Sequence, residues 1–316
     1  MRAIAITEFG GPERLELTDV DDPLVGPDSV LIRVRAAGVN PVDYKVRQGN
    51  LTGRIPHAFP LIPGWDAAGV VEQVGPAVTA FAPGDEVYAY CRKDIVRDGT
   101  YAELVAMRDY AVAPKPARLS FDEAGGVPLA GLTALQLLRD AMGIGRGDRV
   151  LIHAAAGGVG SFGVQIAKDA GAHVIATASA ANHDYVRDLG ADEVVDYTSE
   201  DFVAAVRERH PDGIEAVADF VGGDVYRRSA EVLAEGRGRL GSVTTPADRE
   251  VLEPRGLQGH YIFVRPSAAG LRDLAEMADS GRLRVHVAEV VPLAEARRAQ
   301  ETLEGGHVRG KIVLRV

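Results

Sequence analysis

Apolar and polar residues alternate in the first third of the chain. Val30, Ile32 and Val34 are separated by Leu31, Arg33 and Arg35, the period of two that a pleated strand shows when its faces meet different surroundings. Comparable short runs at 67–74, 85–90 and 101–106 are punctuated by turns such as Pro83-Gly84-Asp85, where proline presets one backbone angle and glycine frees the next. This spacing predicts a β-rich segment. From Ser120 the texture changes: Glu123 follows Ser120 at capping-box distance, and residues 129–142 place apolar side chains at helical spacing. Strand-like and helix-like stretches then alternate: strands at 149–154, 173–177, 193–196, 214–220, 238–243 and 261–264, with helices at 162–170, 182–189 and 225–233. Such alternation predicts a parallel sheet with helices on both faces. Two further helices at 268–279 and 293–303 and a last strand at 311–316 complete the pattern. The fold class is therefore α/β plus a β-rich part.

Composition narrows the function. The chain has 316 residues, with 45 Asp and Glu against 35 Lys and Arg. The resulting charge of −10 gives no drive toward nucleic acid or anionic lipid, both of which attract clustered cations. Cys91 is the single cysteine, so neither an internal disulfide nor a multi-thiolate zinc site is available. The eight histidines contain no pair at metal-ligand spacing along the chain, and no metal is expected. The longest uncharged stretch, 150–167, is broken by His153, Ser161, Gln165 and four glycines, which suits a buried strand and helix better than a membrane span. The start of the chain reads as a strand without a secretory pattern, and a cytoplasmic protein is expected.

The richest stretch is RVLIHAAAGGVGSFGVQIAKDAGA, residues 149–172. A strand runs into glycines and then a helix, whose first N–H groups and partial positive charge suit a pyrophosphate. Two registers are open: GxGxxG at Gly158, Gly160 and Gly163, or AxGxxG at Ala155, Gly157 and Gly160. The second places the turn directly after the strand and is preferred. It puts Ala156, Gly157, Gly158, Val159 and Gly160 against the cofactor. An acidic residue about twenty positions on would receive the adenosine ribose and repel a 2′-phosphate. The chain offers Ser179, Asn182 and His183 there and no carboxylate before Asp184, so NADPH is favoured over NADH.

Taken together, several segments resemble the medium-chain dehydrogenase/reductase superfamily, and within it the zinc-independent quinone oxidoreductases related to ζ-crystallin. They are MRAIAI, AAGVNPVDYKVRQG, PLIPGWDAAGVVEQVG, GDEVYAY, GLTAL, AAAGGVG, LGADEVVDY and GHVRGKIVL, and in this order they span essentially the whole chain. The resemblance implies a GroES-like catalytic domain from residues 1–119 and 265–316 around a central Rossmann domain, 120–264. Zinc-dependent members carry a cysteine in the AAGVN stretch and a His-Glu pair after the glycine that is here Gly64. This chain has Asn40, Trp65 and Asp66, so the metal ligands are missing.

Without a metal, hydride transfer suits acceptors whose reduced anion is already delocalised: quinones and α,β-unsaturated carbonyls. The resemblance implies that Asn40 and Tyr44 face nicotinamide and substrate. Tyr44 either bonds the acceptor oxygen and supplies a proton, or walls the site while solvent does so. Asp43 anchors its loop, and Trp65 fills volume beside the substrate. Thr133, Val221, Ser242, Phe263 and Val264 would lie near the nicotinamide, with Tyr197 against the adenosine. The segment 91–101 is expected to be a mobile loop, and Cys91 would be reactive if Arg92 and Lys93 lowered its pKa. The resemblance also implies a homodimer through a Rossmann edge strand at 238–243 or 261–264. Two rival functions remain: an enoyl-thioester reductase, and a non-catalytic NADPH-binding sensor.

Overall fold

The computed structural model describes residues 1–316, which form two compact units. The first comprises residues 1–132, 265–281 and 285–316, and the second 133–264 and 282–284. No helix is long and apolar enough to cross a membrane.

In chain order the first part of unit one contains β1 (Arg2–Ala5), β2 (Glu16–Asp19), β3 (Ser29–Val39), α1 (Pro41–Arg47), β4 (His57–Ile62), β5 (Asp66–Val74), β6 (Glu86–Tyr90), β7 (Val96–Asp98), β8 (Leu104–Arg108), β9 (Val112–Pro114), α2 (Phe121–Gly125) and α3 (Pro128–Leu135). The division between units falls within α3, and a π-type turn at Gln136–Ala141 continues it. Unit two contains β10 (Arg149–Ile152), α4 (Gly158–Asp169), β11 (His173–Ala178), α5 (His183–Asp188), β12 (Glu193–Asp196), α6 (Phe202–Arg209), β13 (Ala216–Asp219), α7 (Asp224–Ser229), β14 (Arg239–Ser242), α8 (Arg249–Leu252) and β15 (Gln258–Tyr261). The chain then returns to unit one with α9 (Ala268–Asp279), β16 (Val287–Pro292), α10 (Ala296–Glu304) and β17 (Lys311–Arg315).

The main sheet of unit one runs β16-β17-β3-β5-β6-β9. Strand β3 is long enough for two partners on one side. Its first half, Ser29 to Arg33, pairs with β8, and its second half, Ala36 to Val39, pairs with β17. Register shifts in its ladder with β5 between Leu31 and Ile32 and between Val34 and Ala36 bend the strand where the partner changes, as bulges do. The consequence is that the end of β3 and the start of β17 lie side by side although the chain between them is nearly the whole protein.

Unit two is a six-stranded, all-parallel sheet of order β12-β11-β10-β13-β14-β15, the doubly wound arrangement whose strand order reverses beside the first strand. Its strands are buried apolar runs such as Val150-Leu151-Ile152 and Val174-Ile175-Ala176, as a sheet covered on both faces requires.

Several expectations shift. Residues 120–132 belong to unit one, because Gly125 packs so closely on β3 that a Cβ there would lie 2.9 Å from that of Ala36, and Leu129 is tied to β5. Residues 282–284 join unit two through Arg284, whose N–H donates to Gln165. The last strand of the parallel sheet is Gln258–Tyr261 and not 261–264. An edge strand needs no apolar alternation, so the polar Gln258 and His260 concealed it, while the apolar Ile262, Phe263 and Val264 continue beyond the ladder. Residues 238–243 hold β14, which is interior between β13 and β15, so on that side only β15 offers a free edge. Segment 91–101 contains β7, paired in parallel with β4. Helices α1, α6 and α8 and strands β2, β4, β9 and β16 escaped the sequence reading.

Candidate active site

In unit one, polar side chains converge where β3 ends, β5 begins and β17 begins. Asn40 starts α1, with Pro41 at the first helical position, where a missing N–H costs nothing. The Asn40 N–H donates to Asp43 Oδ2 at 2.8 Å, and the Tyr101 hydroxyl donates to the same oxygen at 3.0 Å. Asp43 thus anchors the loop. Asn40 Nδ2 donates to Asp66 Oδ2 at 2.8 Å, and the Leu129 N–H donates to Asp66 Oδ1 at 2.7 Å. Lys311 Nζ donates to Asn40 Oδ1 and to the Val39 carbonyl at 3.2 Å, and lies 3.9 Å from Asp66 Oδ2. Lys311, Asn40, Asp43 and Asp66 are all buried.

Burial sets the electrostatics of this cluster. Desolvation raises Asp43 to about 7, against the pull of the Asn40 N–H, with the Asp66 charge adding to the rise. It raises Asp66 to about 6, opposed first by Lys311. Desolvation also pushes the Lys311 ammonium down, opposed by both carboxylates. One buried cation is therefore balanced between two acids that hold protons far more readily than exposed ones.

Tyr44 stands half-buried on α1, with its pKa raised first by desolvation and then by the Glu304 charge. Trp65 is buried, packs edge-on against Tyr90 at 6.1 Å between rings, and walls a shallow crevice with Lys93 and Ile95. Gly64 has a φ of +91°, and a Cβ there would meet the Tyr101 ring at 2.3 Å. Only glycine makes this turn, which aims Trp65 and Asp66 inward. Cys91 is buried, and burial pushes its thiol up to about 12 despite Lys93, so the condition for its reactivity is not met.

In unit two the turn after β10 carries Ala154 at a φ of +52°, the left-handed region that non-glycine residues rarely occupy. Gly157 is the N-cap of α4. A Cβ on Gly160 would lie 2.1 Å from the Ala154 carbonyl oxygen, whereas one on Gly163 would meet nothing closer than 3.4 Å. Gly160 is the glycine that lets the helix approach the strand turn, as the Ala155, Gly157, Gly160 register requires. Residues 156–159 are partly exposed, and a twelve-residue helix starts there whose first N–H groups lack partners within the helix, a fitting seat for a pyrophosphate.

The strand ends of unit two carry the other predicted residues, Thr133 on α3 excepted. Ser179 follows β11 and accepts a hydrogen bond from Asn182 Nδ2 at 3.1 Å. His183 is half-buried, with Nε2 buried and unpartnered. Tyr197, Val221 and Phe263 are exposed beyond β12, β13 and β15, and Val264 is half-buried. Thr133 is buried on α3. Ser242 is wholly buried and donates to Asp219 Oδ2 at 3.0 Å. Asp219 Oδ1 accepts the Val221 and Gly222 N–H groups, each at 2.9 Å.

Sequence reasoning missed Asp219 as the organiser of that loop and Lys311 as a member of the buried cluster. The GHVRGKIVL segment contained the lysine, but only the pairing of β17 with β3 reveals its destination. It also missed Asp196, which the ladder places opposite Ala178. This carboxylate accepts the Thr198 hydroxyl at 2.6 Å and N–H at 3.0 Å, bonds that hold its pKa below the usual range.

A doubly wound dinucleotide unit joined to a β-rich unit built from both chain ends defines a medium-chain dehydrogenase/reductase. Comparison with known proteins agrees. Residues 26–117 match the alcohol dehydrogenase GroES-like domain, and residues 189–314 match a model described as zinc-binding dehydrogenase. The chain is 31% identical to a chloroplast envelope quinone oxidoreductase homolog of Arabidopsis thaliana, over 99% of this chain and 98% of that protein. It is 35% identical to the NADPH-dependent alkenal/one oxidoreductase, chloroplastic, of the same plant, over 99% of this chain and 79% of that protein. The structure of the quinone oxidoreductase from Coxiella burnetii matches with a TM-score of 0.90 and 36% identity, over 100% of this chain and 99% of that one. The chain belongs to the quinone oxidoreductase family of the medium-chain dehydrogenases/reductases, and it is an oxidoreductase that uses a nicotinamide cofactor.

The zinc in the name of one matching model does not suit the residues at the expected position. Asn40 and Asp66 are hydrogen-bonded to each other, Lys311 places a cation against both, and Trp65 offers no ligand atom. A second cation there would face the ammonium with no thiolate or imidazole to bind it.

Proposed function

We propose that this protein reduces quinones and α,β-unsaturated carbonyls with NADPH and without a metal. The observation that carries the reading is the Lys311–Asn40–Asp66 cluster, which spends on itself the side chains that would have to hold a Lewis acid. An alkoxide developing on a simple ketone would then lack its stabiliser. A quinone or enone needs less help, because its reduced anion is spread over the conjugated system.

Residues Ala156 to Gly160 would hold the pyrophosphate on the α4 N-terminus, with Ser179 and His183 beside the adenosine 2′-phosphate and Tyr197 against the adenosine. The absence of a free carboxylate at the β11 end supports NADPH. Val221, Phe263 and Val264 would border the nicotinamide, with Ser242 acting through Asp219 to set the Val221 loop, and Thr133 holding its place from α3. The bound cofactor supplies the hydride. Asn40 fixes the start of α1, and through it Tyr44, whose hydroxyl bonds the acceptor oxygen. With its pKa raised, Tyr44 keeps its proton at neutral pH and can donate it to the enolate or hydroquinonate, or hold the oxygen while water protonates it. Trp65 supplies an apolar wall. We further propose a homodimer through the free β15 edge.

The deciding experiment follows NADPH oxidation by chelator-treated protein with 1,4-benzoquinone, a 2-alkenal and a crotonyl thioester, and NADH as the alternative cofactor. Turnover of quinone or alkenal, undiminished by chelation, is the expected result. Dominant turnover of the thioester would replace this reading with an enoyl-thioester reductase. Binding of NADPH with no acceptor reduced would replace it with a sensor.

A further inference from the structure

We propose that His173, Glu193 and His210 form a divalent transition-metal site at the end of the parallel sheet opposite the dinucleotide turn. The sheet register builds it. Ile175 of β11 is paired with Glu193 of β12, so both side chains leave the same face, and His173, two residues before Ile175, leaves it too. That face is the one covered by α6: Ile175 and Val195 share a core cluster with Phe202, Ala205 and Val206. His210 caps the C-terminus of α6, and its backbone is held by bonds from its N–H to Val206 and from the Gly213 N–H to its carbonyl. Two strands and a helix end therefore bring together three ligands that the sequence keeps apart.

The ligand atoms already converge. His173 Nε2 and His210 Nε2 lie 2.7 and 2.9 Å from the same Glu193 oxygen, Oε1, and all three ligand atoms fall within 4.8 Å of one another. Zinc bonds of about 2.0–2.2 Å place neighbouring tetrahedral ligands about 3.3 Å apart, so the two contacts must open by about half an ångström, while the two imidazole nitrogens, no more than 4.8 Å apart, must settle at the same spacing. His210 and Glu193 are mostly buried side chains, at 13% and 21% exposure, while His173 is more open at 43%, leaving room for water to complete the shell. Asp192 Oδ2 is 3.8 Å from His173 Nδ1, on the side where a ligating imidazole needs an acceptor for its other N–H. Asp192 is itself fixed by the Val174 N–H at 2.8 Å and by Lys168 at 2.6 Å.

Two imidazoles and one carboxylate select a borderline ion such as Zn²⁺ or Co²⁺ over the oxygen-preferring Mg²⁺ and Ca²⁺. Arg209 stands 3.5 Å from Glu193 Oε2 and repels the ion, which argues for binding in the micromolar range. The site is remote from the reacting groups of the sheet. Its effect is to pin the edge strand β12 to β11 and α6.

The test uses the full chain without added histidines, stripped of metal and titrated with CoCl₂ and ZnCl₂. We expect one Co²⁺ per chain with visible ligand-field absorption, at least about tenfold weaker binding in His173→Ala and His210→Ala, and a zinc-dependent rise in Tm that both variants lose. NADPH affinity should be unchanged in each. Should a variant fold poorly, diethylpyrocarbonate labelling of the unaltered chain gives a second reading, because Zn²⁺ must protect His173 and His210 and leave the labelling of the other histidines unchanged. Absence of saturable binding below millimolar metal, protection at other histidines, or undiminished binding by folded variants would overturn the site. None of these readouts depends on turnover, so they stand apart from the proposed reductase activity.

Discussion

Lys311, at the start of the last strand, donates a hydrogen bond to the side-chain oxygen of Asn40, at the end of β3, and its ammonium is buried there with Asp66 3.9 Å away. Removing one member of a buried charge pair leaves the other uncompensated, at a cost of about 3–5 kcal/mol. Lys311→Met should therefore lower stability by that order, and adding Asp66→Asn should recover part of the loss because the orphaned carboxylate disappears. Urea denaturation of the two variants and the parent measures this. Equal stability of the single variant and the parent would show that the ammonium does not balance Asp66.

Asp43 gives the cluster a pH dependence. Its ordinary pKa of 3.8 rises to about 7 on folding, so the folded chain holds a proton that the unfolded chain has released. Stability from this group is complete below pH 4, falls as pH rises toward 7, and levels off above it. Asp66, raised to about 6, acts in the same direction over a narrower window. Asp43 Oδ1 has no partner while Oδ2 accepts two bonds, so an asparagine can keep the accepting oxygen and place its amide on the free side. Asp43→Asn should flatten the fall in unfolding free energy between pH 4 and 7 and stabilise the protein at pH 8. A parallel pH profile in parent and variant would disprove the assignment.

The two glycines of α4 separate sharply. Gly160→Ala places a methyl 2.1 Å from the Ala154 carbonyl, against backbone that cannot turn aside, while Gly163→Ala makes an ordinary contact at 3.4 Å. Fluorescence titration should show NADPH affinity lost or reduced at least about tenfold by the first change and nearly kept by the second, since a displaced helix no longer aims its N–H groups at the pyrophosphate. The reverse result would move the motif to the other glycine register.

Cys91 should be inert. Its thiol is buried and raised to about 12, and the thiolate is the reactive species. Ellman's reagent should titrate it only after denaturation. Rapid labelling of the native protein would mean that β6 and the segment after it open readily.

The dinucleotide unit was legible because glycine spacing, β-branched runs and capping residues are local signals that point to one outcome. The strand 193–196 falls where the pattern places it, and so, in the other unit, does the helix 268–279. β15 was misplaced because an edge strand carries little apolar signal. The buried cluster was half legible: Asn40, Trp65 and Asp66 showed the missing ligands, yet Lys311 read as an ordinary charge before a strand. Its role depends on β17 pairing with the second half of β3, a long-range register that local pattern does not encode. The approach of His173, Glu193 and His210 was hidden for the same reason.

The proposed preference for NADPH rests on the end of β11. Ser179 begins the short turn into α5, tied to Asn182 at 3.1 Å, and the neighbouring carboxylate of Asp196 is engaged by Thr198. The turn itself, residues 179–183, carries no carboxylate to oppose a 2′-phosphate. Ser179→Asp supplies one, and as a strong helix-capping residue it should leave the turn intact. Like charges brought together in binding cost several kcal/mol, while a ribose hydroxyl would gain an acceptor. The ratio of kcat/KM for NADPH over NADH should therefore fall by about tenfold or more, mainly through a rise in KM for NADPH. An unchanged ratio would mean that the adenosine phosphate lies away from Ser179, and that the preference must be sought at His183 or Tyr197.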